Sequence, residues 1–221
     1  MRRVMWLGLV ALALPMVAFA GSIDPTVIHV NNPSFENLGG PLNMSCGTDC
    51  TFRFGSIPGW TISGGEGGQF RPSTGHNGVF DTFAPHDGDI SAFANGGTIS
   101  QEVGPTVVAG LIYTLTLEIG RRNDASFDGS ADLLVGNTKF MATGAVPRPG
   151  HWSTFTATFV GTPGNAGDHI TIQLNSNGIQ GNFDSVKLTT SPVPEPGTLG
   201  LLGTGLIGLA GMARRKFKLW T

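Results

Sequence analysis

Residues 111–119 read Leu-Ile-Tyr-Thr-Leu-Thr-Leu-Glu-Ile. Strict alternation puts Tyr113, Leu115, Leu117 and Ile119 on one side of an extended chain and the Thr and Glu side chains on the other. A helix would scatter the same residues around its circumference. No long stretch of the chain has the 3.6-residue apolar period, whereas shorter alternating runs recur at 27–30, 99–103, 131–135, 155–160, 170–174 and 183–188. Turn-forming residues separate them: Gly104-Pro105, Asn123-Asp124, Gly136-Asn137, and the stretches 147–150, 162–167 and 175–178. Seven or more strands at this spacing predict an all-β fold, an antiparallel β-sandwich of the jelly-roll kind.

The two ends of the chain do not share this pattern. Arg2 and Arg3 precede an apolar stretch, 4–19, and Ala18-Phe19-Ala20 stands before Gly21. A charged start, an apolar run and an A-x-A site predict a signal peptide, 1–20, for removal by signal peptidase. At the other end Pro194-Glu195-Pro196-Gly197 leads into an apolar run, 199–213, and then Arg214-Arg215-Lys216. Two prolines around one carboxylate favour extended backbone that a processing enzyme can grip. A run of about 15 residues is short against the ~20 of a usual membrane span, and flanking residues bring it near the lower limit. The basic cluster would stay cytoplasmic. The expected layout is therefore signal peptide 1–20, β-sandwich domain 21–192, and tail 193–221 with a hydrophobic helix at 198–213.

Within the domain, charge is sparse. Charged residues are 13% of the chain and the net charge is −2, with several basic residues confined to the two ends. A domain left acidic after their removal lacks the basic surface that phosphate binding needs, which argues against nucleic acid. The only cysteines are Cys46 and Cys50, in Cys46-Gly-Thr-Asp-Cys50. Outside the cytoplasm they are expected to form one local disulfide that holds a loop's shape.

The tail resembles the PEP-CTERM sorting signal of Gram-negative bacteria, at Pro194-Glu195-Pro196, the Gly-rich run and Arg214-Arg215. The resemblance implies an inner-membrane-anchored precursor, processing by exosortase, and release or attachment at the cell surface. It also implies work in extracellular polysaccharide or biofilm.

Within the domain, five short motifs stand in order. They are Val30-Asn31-Asn32-Pro33-Ser34-Phe35-Glu36, Ile57-Pro58-Gly59-Trp60, Gly110-x-x-Tyr113-x-Leu115, Gly150-x-Trp152-x-x-Phe155 and Asn182-Phe183-Asp184-Ser185-Val186-Lys187-Leu188. Together they resemble the galactose-binding-like jelly rolls, including carbohydrate-binding modules and, more distantly, bacterial indole-alkaloid cyclases. In such relatives the carboxylates matching Glu36 and Asp184 help hold a structural calcium, so calcium is the cofactor the resemblance implies. Trp60 and Trp152 are expected in the core, with sugar stacking as the alternative. Of Arg121 and Arg122 only one can line a groove, since neighbours on a strand face opposite ways.

The Gly-rich, aromatic segment 64–97 reads as long loops with short strands, either a ligand site or a solvated excursion. On the first reading Phe70, Arg71, His76, Asn77, Phe80 and Phe83 bind the ligand, away from the strand ends near 175–178. His76, His86, His151 and His169 form no metal or nucleophile spacing. The expected function is therefore a non-enzymatic surface or matrix protein with a carbohydrate-binding-like domain. Two other readings stand beside it. One is a purely structural coat protein. The other is an enzyme on the same scaffold, which needs a carboxyl buried among aromatics as general acid, Asp184 or Asp81.

Overall fold

The structure, a computed structural model, describes residues 24–75, 78–81, 88–194, 203 and 205–208. The compact unit Ile23–Val193 is the sandwich. Its strands are β1 (Thr26–Ile28), β2 (Met44–Gly47), β3 (Cys50–Phe54), β4 (Thr61–Ser63), β5 (Glu66–Arg71), β6 (Ser91–Asn95) and β7 (Thr98–Glu102). They continue with β8 (Leu111–Arg121), β9 (Gly129–Val135), β10 (Thr138–Met141), β11 (Thr143–Gly144), β12 (His151–Val160), β13 (Ile170–Ser176) and β14 (Gln180–Pro192).

Two antiparallel sheets result. The nine-stranded sheet runs β11-β12-β8-β14-β6-β5-β3-β2, with β1 paired to the C-terminal part of β14. The five-stranded sheet runs β10-β9-β13-β7-β4. The alternation in β8 does what the sequence predicts: Tyr113, Leu115, Leu117 and Ile119 are all buried between the sheets. Ile99, Leu133, Ile170, Ile172 and Leu174 meet them from the smaller sheet. Apolar area removed from water, at about 25 cal/mol per Å², is what drives this layer together.

The N-terminal motifs are structural. Asn32 holds the loop by donating from Nδ2 to Asn37 O at 2.9 Å and accepting from Asn37 N–H at 2.9 Å. Trp60 is buried, as expected, against Phe35 at 5.4 Å between ring centroids, and its Nε1 donates to Asn32 O at 3.2 Å. Buried Gln69 donates to Phe35 O at 2.6 Å and accepts from Gly39 N–H at 3.0 Å, tying β5 to the same loop.

Segment 64–97 departs from the loop-rich reading. It supplies β5 and β6, which lie well inside the nine-stranded sheet. These strands are rich in Gly and Ala, and their residues are buried towards both faces, so no alternation marks them. Cys46 and Cys50 are joined in a disulfide across the β2–β3 turn, with Cα atoms 5.1 Å apart.

The signal peptide 1–20, the motif residues Glu195 and Pro196, the basic pair Arg214 and Arg215, and most of the 198–213 helix lie outside the described residues. Gly203 and 205–208 are helical and exposed. Among the described residues no helix is long and apolar enough to cross a membrane.

Candidate functional site

One face of the nine-stranded sheet packs on the smaller sheet; the opposite, outer face carries a second aromatic cluster. On β6, Ala92 and Ala94 point inward, so Ser91, Phe93 and Asn95 point outward. Phe93 is the hub. Its ring lies 5.4 Å from Phe54, 5.9 Å from Phe70 and 6.2 Å from Phe52, each edge-on. Edge-to-face contacts suit the ring quadrupoles. Phe70 continues to Phe80 at 6.4 Å, and Phe80 stacks on Trp152 at 4.8 Å.

Phe52, Phe54, Phe70 and Phe93 form the walls of a cup of about 180 Å³, with Cys46, Asn95, Arg122 and Gln180 at its edge. An apolar cavity of ~150 Å³ is known to take one benzene, so the cup has room for a ring-sized group. Its polar side is fixed by a chain of hydrogen bonds. Arg122 donates to both Asp124 oxygens, at 2.8 and 2.7 Å, and to Gln180 Oε1 at 2.6 Å. Gln180 Nε2 in turn donates to Asn182 Oδ1 at 2.9 Å. The Arg122 hydrogen bond and charge hold the Asp124 carboxyl below the usual carboxylate range, against a smaller opposing effect of burial. Arg122, not Arg121, is thus the arginine at the groove.

Asp184 lies on the same outer face. Its backbone partner on β8 is Glu118, another outward carboxylate, which accepts from Thr154 Oγ1 at 2.5 Å. Asp184 is completely buried. It stands at a β-bulge: the register slips between Asp184 and Lys187, Ser185 takes φ 50°, and Val186 N–H turns to Pro33 O at 2.9 Å. Bulges of this kind re-aim side chains and are enriched beside active sites. Ser185 N–H donates to Asp184 Oδ1 at 2.6 Å.

The ligand residues expected from the sequence divide. Phe70 and Phe80 are buried members of the cluster, and Phe70 is a strand residue that helps wall the cup. Arg71 is exposed at the end of β5. His76, Asn77 and Phe83 lie outside the described residues. Trp152 belongs to the outer-face cluster rather than to the layer between the sheets. Phe52, Phe54 and Phe93 were not anticipated. Of the histidines, His151 opens β12, and its Nε2 lies 3.4 Å from Asp81, which also accepts from Asn123 Nδ2 at 2.8 Å. This pair anchors the turn carrying Phe80. His169 pairs separately with Glu102 at 2.9 Å.

For calcium, the donor set is thin. Glu36 Oε1 accepts two backbone N–H groups, from Asp89 at 2.8 Å and Ile90 at 2.7 Å. Among the described residues no group of three or more His, Cys, Asp or Glu side chains is placed to hold a metal.

An antiparallel jelly-roll sandwich, with an aromatic cup and a buried carboxyl on one sheet face, is the class this geometry defines. Residues 26–189 match the family described as HpiC1 cyclase. The chain belongs to that family. Residues 192–216 match the PEP-CTERM protein-sorting motif. The motif marks export and exosortase processing, to the cell surface or extracellular space of a Gram-negative bacterium.

Among solved structures, the chain is similar to a cyclase from Fischerella sp. TAU in complex with 4-(1H-indol-3-yl)butan-2-one. The identity is 20% and the TM-score 0.62, over 76% of this chain and 98% of that one. A second structure of a cyclase from Fischerella sp. TAU gives 22% identity, the same TM-score of 0.62 and the same coverage. The CBM22-2 xylan-binding domain of Paenibacillus barcinonensis Xyn10C matches at 13% identity and a TM-score of 0.44, over 62% of this chain and 94% of that one; a likeness this slight carries no argument about ligand. No curated protein matches the chain.

Membership of a cyclase family overturns the expectation of a non-enzymatic protein. That expectation rested on the lack of nucleophile–base or metal spacings. A general acid acting among aromatic rings needs neither, and leaves no such spacing to find.

Proposed function

We propose that the exported domain is a cyclase-type enzyme whose site is the outer face of the nine-stranded sheet. One observation carries the reading: a completely buried carboxyl, Asp184, stands at a bulge on the face that bears the aromatic cup. The cup takes a flat aromatic group of the substrate. Asp184 acts as general acid. Its proton goes to a carbon–carbon double bond of the substrate, and a carbocation forms. The faces of nearby aromatic rings stabilise that charge by cation–π attraction, about 0.5–2 kcal/mol per ring. Attack by the substrate's own ring forms the new carbon–carbon bond, and the proton lost on rearomatisation returns to the carboxylate. Product and substrate are isomers, so no co-reactant is consumed.

The ketone named with the Fischerella cyclase, 4-(1H-indol-3-yl)butan-2-one, is the probe for binding. Calorimetry should show it binding to the folded domain and at least tenfold more weakly to Phe93→Leu. Alkenyl indoles incubated in D2O should yield ring-closed isomers carrying one deuterium. Asp184→Asn should keep ketone binding and lose turnover by at least ~100-fold, the lower end of general-acid contributions. A folded protein that neither binds the ketone nor cyclises any alkenyl indole overturns the reading.

A further inference from the structure

The five-stranded sheet also has an outer face, and it is polar. Ile62, Ile99, Leu174 and Ala131 point into the sandwich. Their neighbours Ser63, Thr98, Asn175 and Ser130 therefore point away from it, and they are paired in one row across β4, β7, β13 and β9. At a strand spacing of about 4.8 Å the row spans roughly 14 Å. It runs along an open groove of about 640 Å³ that also takes in Asp132, Lys139 and Met141. That size falls within the ~300–1,000 Å³ of small-molecule sites.

We propose that this groove is a second binding site, for a neutral polyhydroxylated chain such as an oligosaccharide.

The charges in the groove cancel. Lys139 Nζ lies 3.2 Å from Asp132 Oδ2, and no arginine is among the lining residues. A polyanion would gain nothing from such a surface. Apart from Met141, the lining side chains are hydroxyls, amides and this one ion pair. A ligand hydroxyl both donates and accepts, and Ser, Thr and Asn side chains offer both partners.

The polar groups are already oriented. Thr98 Oγ1 donates to Asn175 Oδ1 at 2.9 Å, and Asn175 Nδ2 donates to buried Asp132 at 2.8 Å. At the groove's end one oxygen of Asp128 accepts from Ser176 Oγ at 2.8 Å and from the N–H groups of Asn177, Gly178 and Ile179 at 3.0, 3.0 and 2.8 Å. That turn carries Asn177, another lining residue. Groups fixed before binding lose less freedom when a ligand arrives. Met141, 66% exposed, supplies an apolar patch for the C–H face of a sugar ring.

The groove thus takes in Asn175, Ser176 and Asn177, at the strand ends that the sequence sets apart from a ligand site. It is independent of the cyclase reading, because it lies on the other sheet.

The test uses the exported protein and immobilised neutral hexasaccharides of glucose, xylose, mannose and galactose, followed by calorimetric titration of any that bind. At least one should bind. Asn175→Ala should weaken it tenfold or more. Ser63→Arg, on the exposed rim, should do the same by filling the groove, with an unchanged melting temperature and unchanged binding of the indole ketone. If none of the four binds a folded protein, or if binding survives Ser63→Arg and is lost in Phe93→Leu instead, the proposal is overturned. Binding to acidic glycans or proteins alone also overturns it.

Discussion

Gly120 lies directly across the β8–β12 register from Trp152, and the indole covers it: a Cβ on Gly120 would sit 2.8 Å from three ring carbons. The absent side chain is the seat of the ring. Trp152 seated there stacks on Phe80, and Phe80 closes the line of rings leading from the cup. Gly120→Ala should therefore unseat Trp152, with the ~1–3 kcal/mol cost usual for overpacking. For a domain of this size each kcal/mol lowers the melting temperature by about 2–4 °C. The near-UV circular dichroism of the aromatic cluster should change with it.

Glu36 accepts the N–H groups of Asp89 and Ile90, 53 and 54 residues away in the chain, and so holds the entry to β6. Glu36→Gln replaces a charged acceptor with a neutral one. Hydrogen bonds to charged groups contribute about 1.5–3 kcal/mol, and the exposure of Glu36 reduces that to about 1 kcal/mol. If this is its whole role, the variant loses the same stability in calcium and in chelator. A wild-type melting temperature that falls on chelation, with the variant's unmoved, would instead put a metal at Glu36 and Asp184. Thermal melts of both proteins under both conditions decide it.

The Arg122–Asp124 pair makes the cup's polar side sensitive to acid. The Asp124 pKa is lowered, chiefly by the hydrogen bond from Arg122. A carboxyl with a depressed folded-state value stabilises the fold above its ordinary value and loses that contribution as pH falls through the folded value. The pair is largely exposed on the Asp124 side, 57%, so its contribution is about 0.2–1 kcal/mol. Asp124→Asn should melt slightly lower than wild type at neutral pH. The two curves should converge as pH drops below about 4.

How much of this was legible beforehand depended on the strand. In β8 one face is buried and the other polar, so alternation shows. In β6, Ser-Ala-Phe-Ala-Asn, Ala92 and Ala94 fill the space between the sheets while Ser91 and Phe93 are also buried on the outer face. Burial on both sides erases the period. The cup was invisible for a related reason. Phe52 and Phe54 come from β3, Phe70 from β5 and Phe93 from β6, and only the register sets them together, with Phe52 opposite Phe70 and Gly68 opposite both Phe54 and Phe93. No spacing within one segment encodes that. Asp184 was named from its motif, but the bulge that marks it depends on pairing with β8. The tail could be read directly, because a processing signal acts as a linear segment rather than through a fold.

That tail should be absent from the mature protein. Residues 192–216 match the sorting motif, which implies processing by exosortase. Intact-mass measurement on protein secreted by its own host should give a C-terminus close to Pro194. Recovery of chains ending at Thr221 outside the cell would show that processing does not occur.

The disulfide should matter more to the cup than to the fold. Cys46 sits at the cup's edge, while Cys50 is buried at the start of β3, the strand that supplies Phe52 and Phe54. The loop it closes spans a separation of only 4 residues. The chain-entropy estimate for a loop this short is about 2 kcal/mol, near the bottom of the usual range. The double variant Cys46→Ser, Cys50→Ser should therefore fold, with a melting temperature lower by roughly 4–8 °C. Its loosened β2–β3 turn should let Phe52 and Phe54 move, so the indole ketone should bind several-fold more weakly. Glycan binding on the opposite sheet should stay as in the wild type. Thiol labelling of the denatured, unreduced wild type should find no free cysteine.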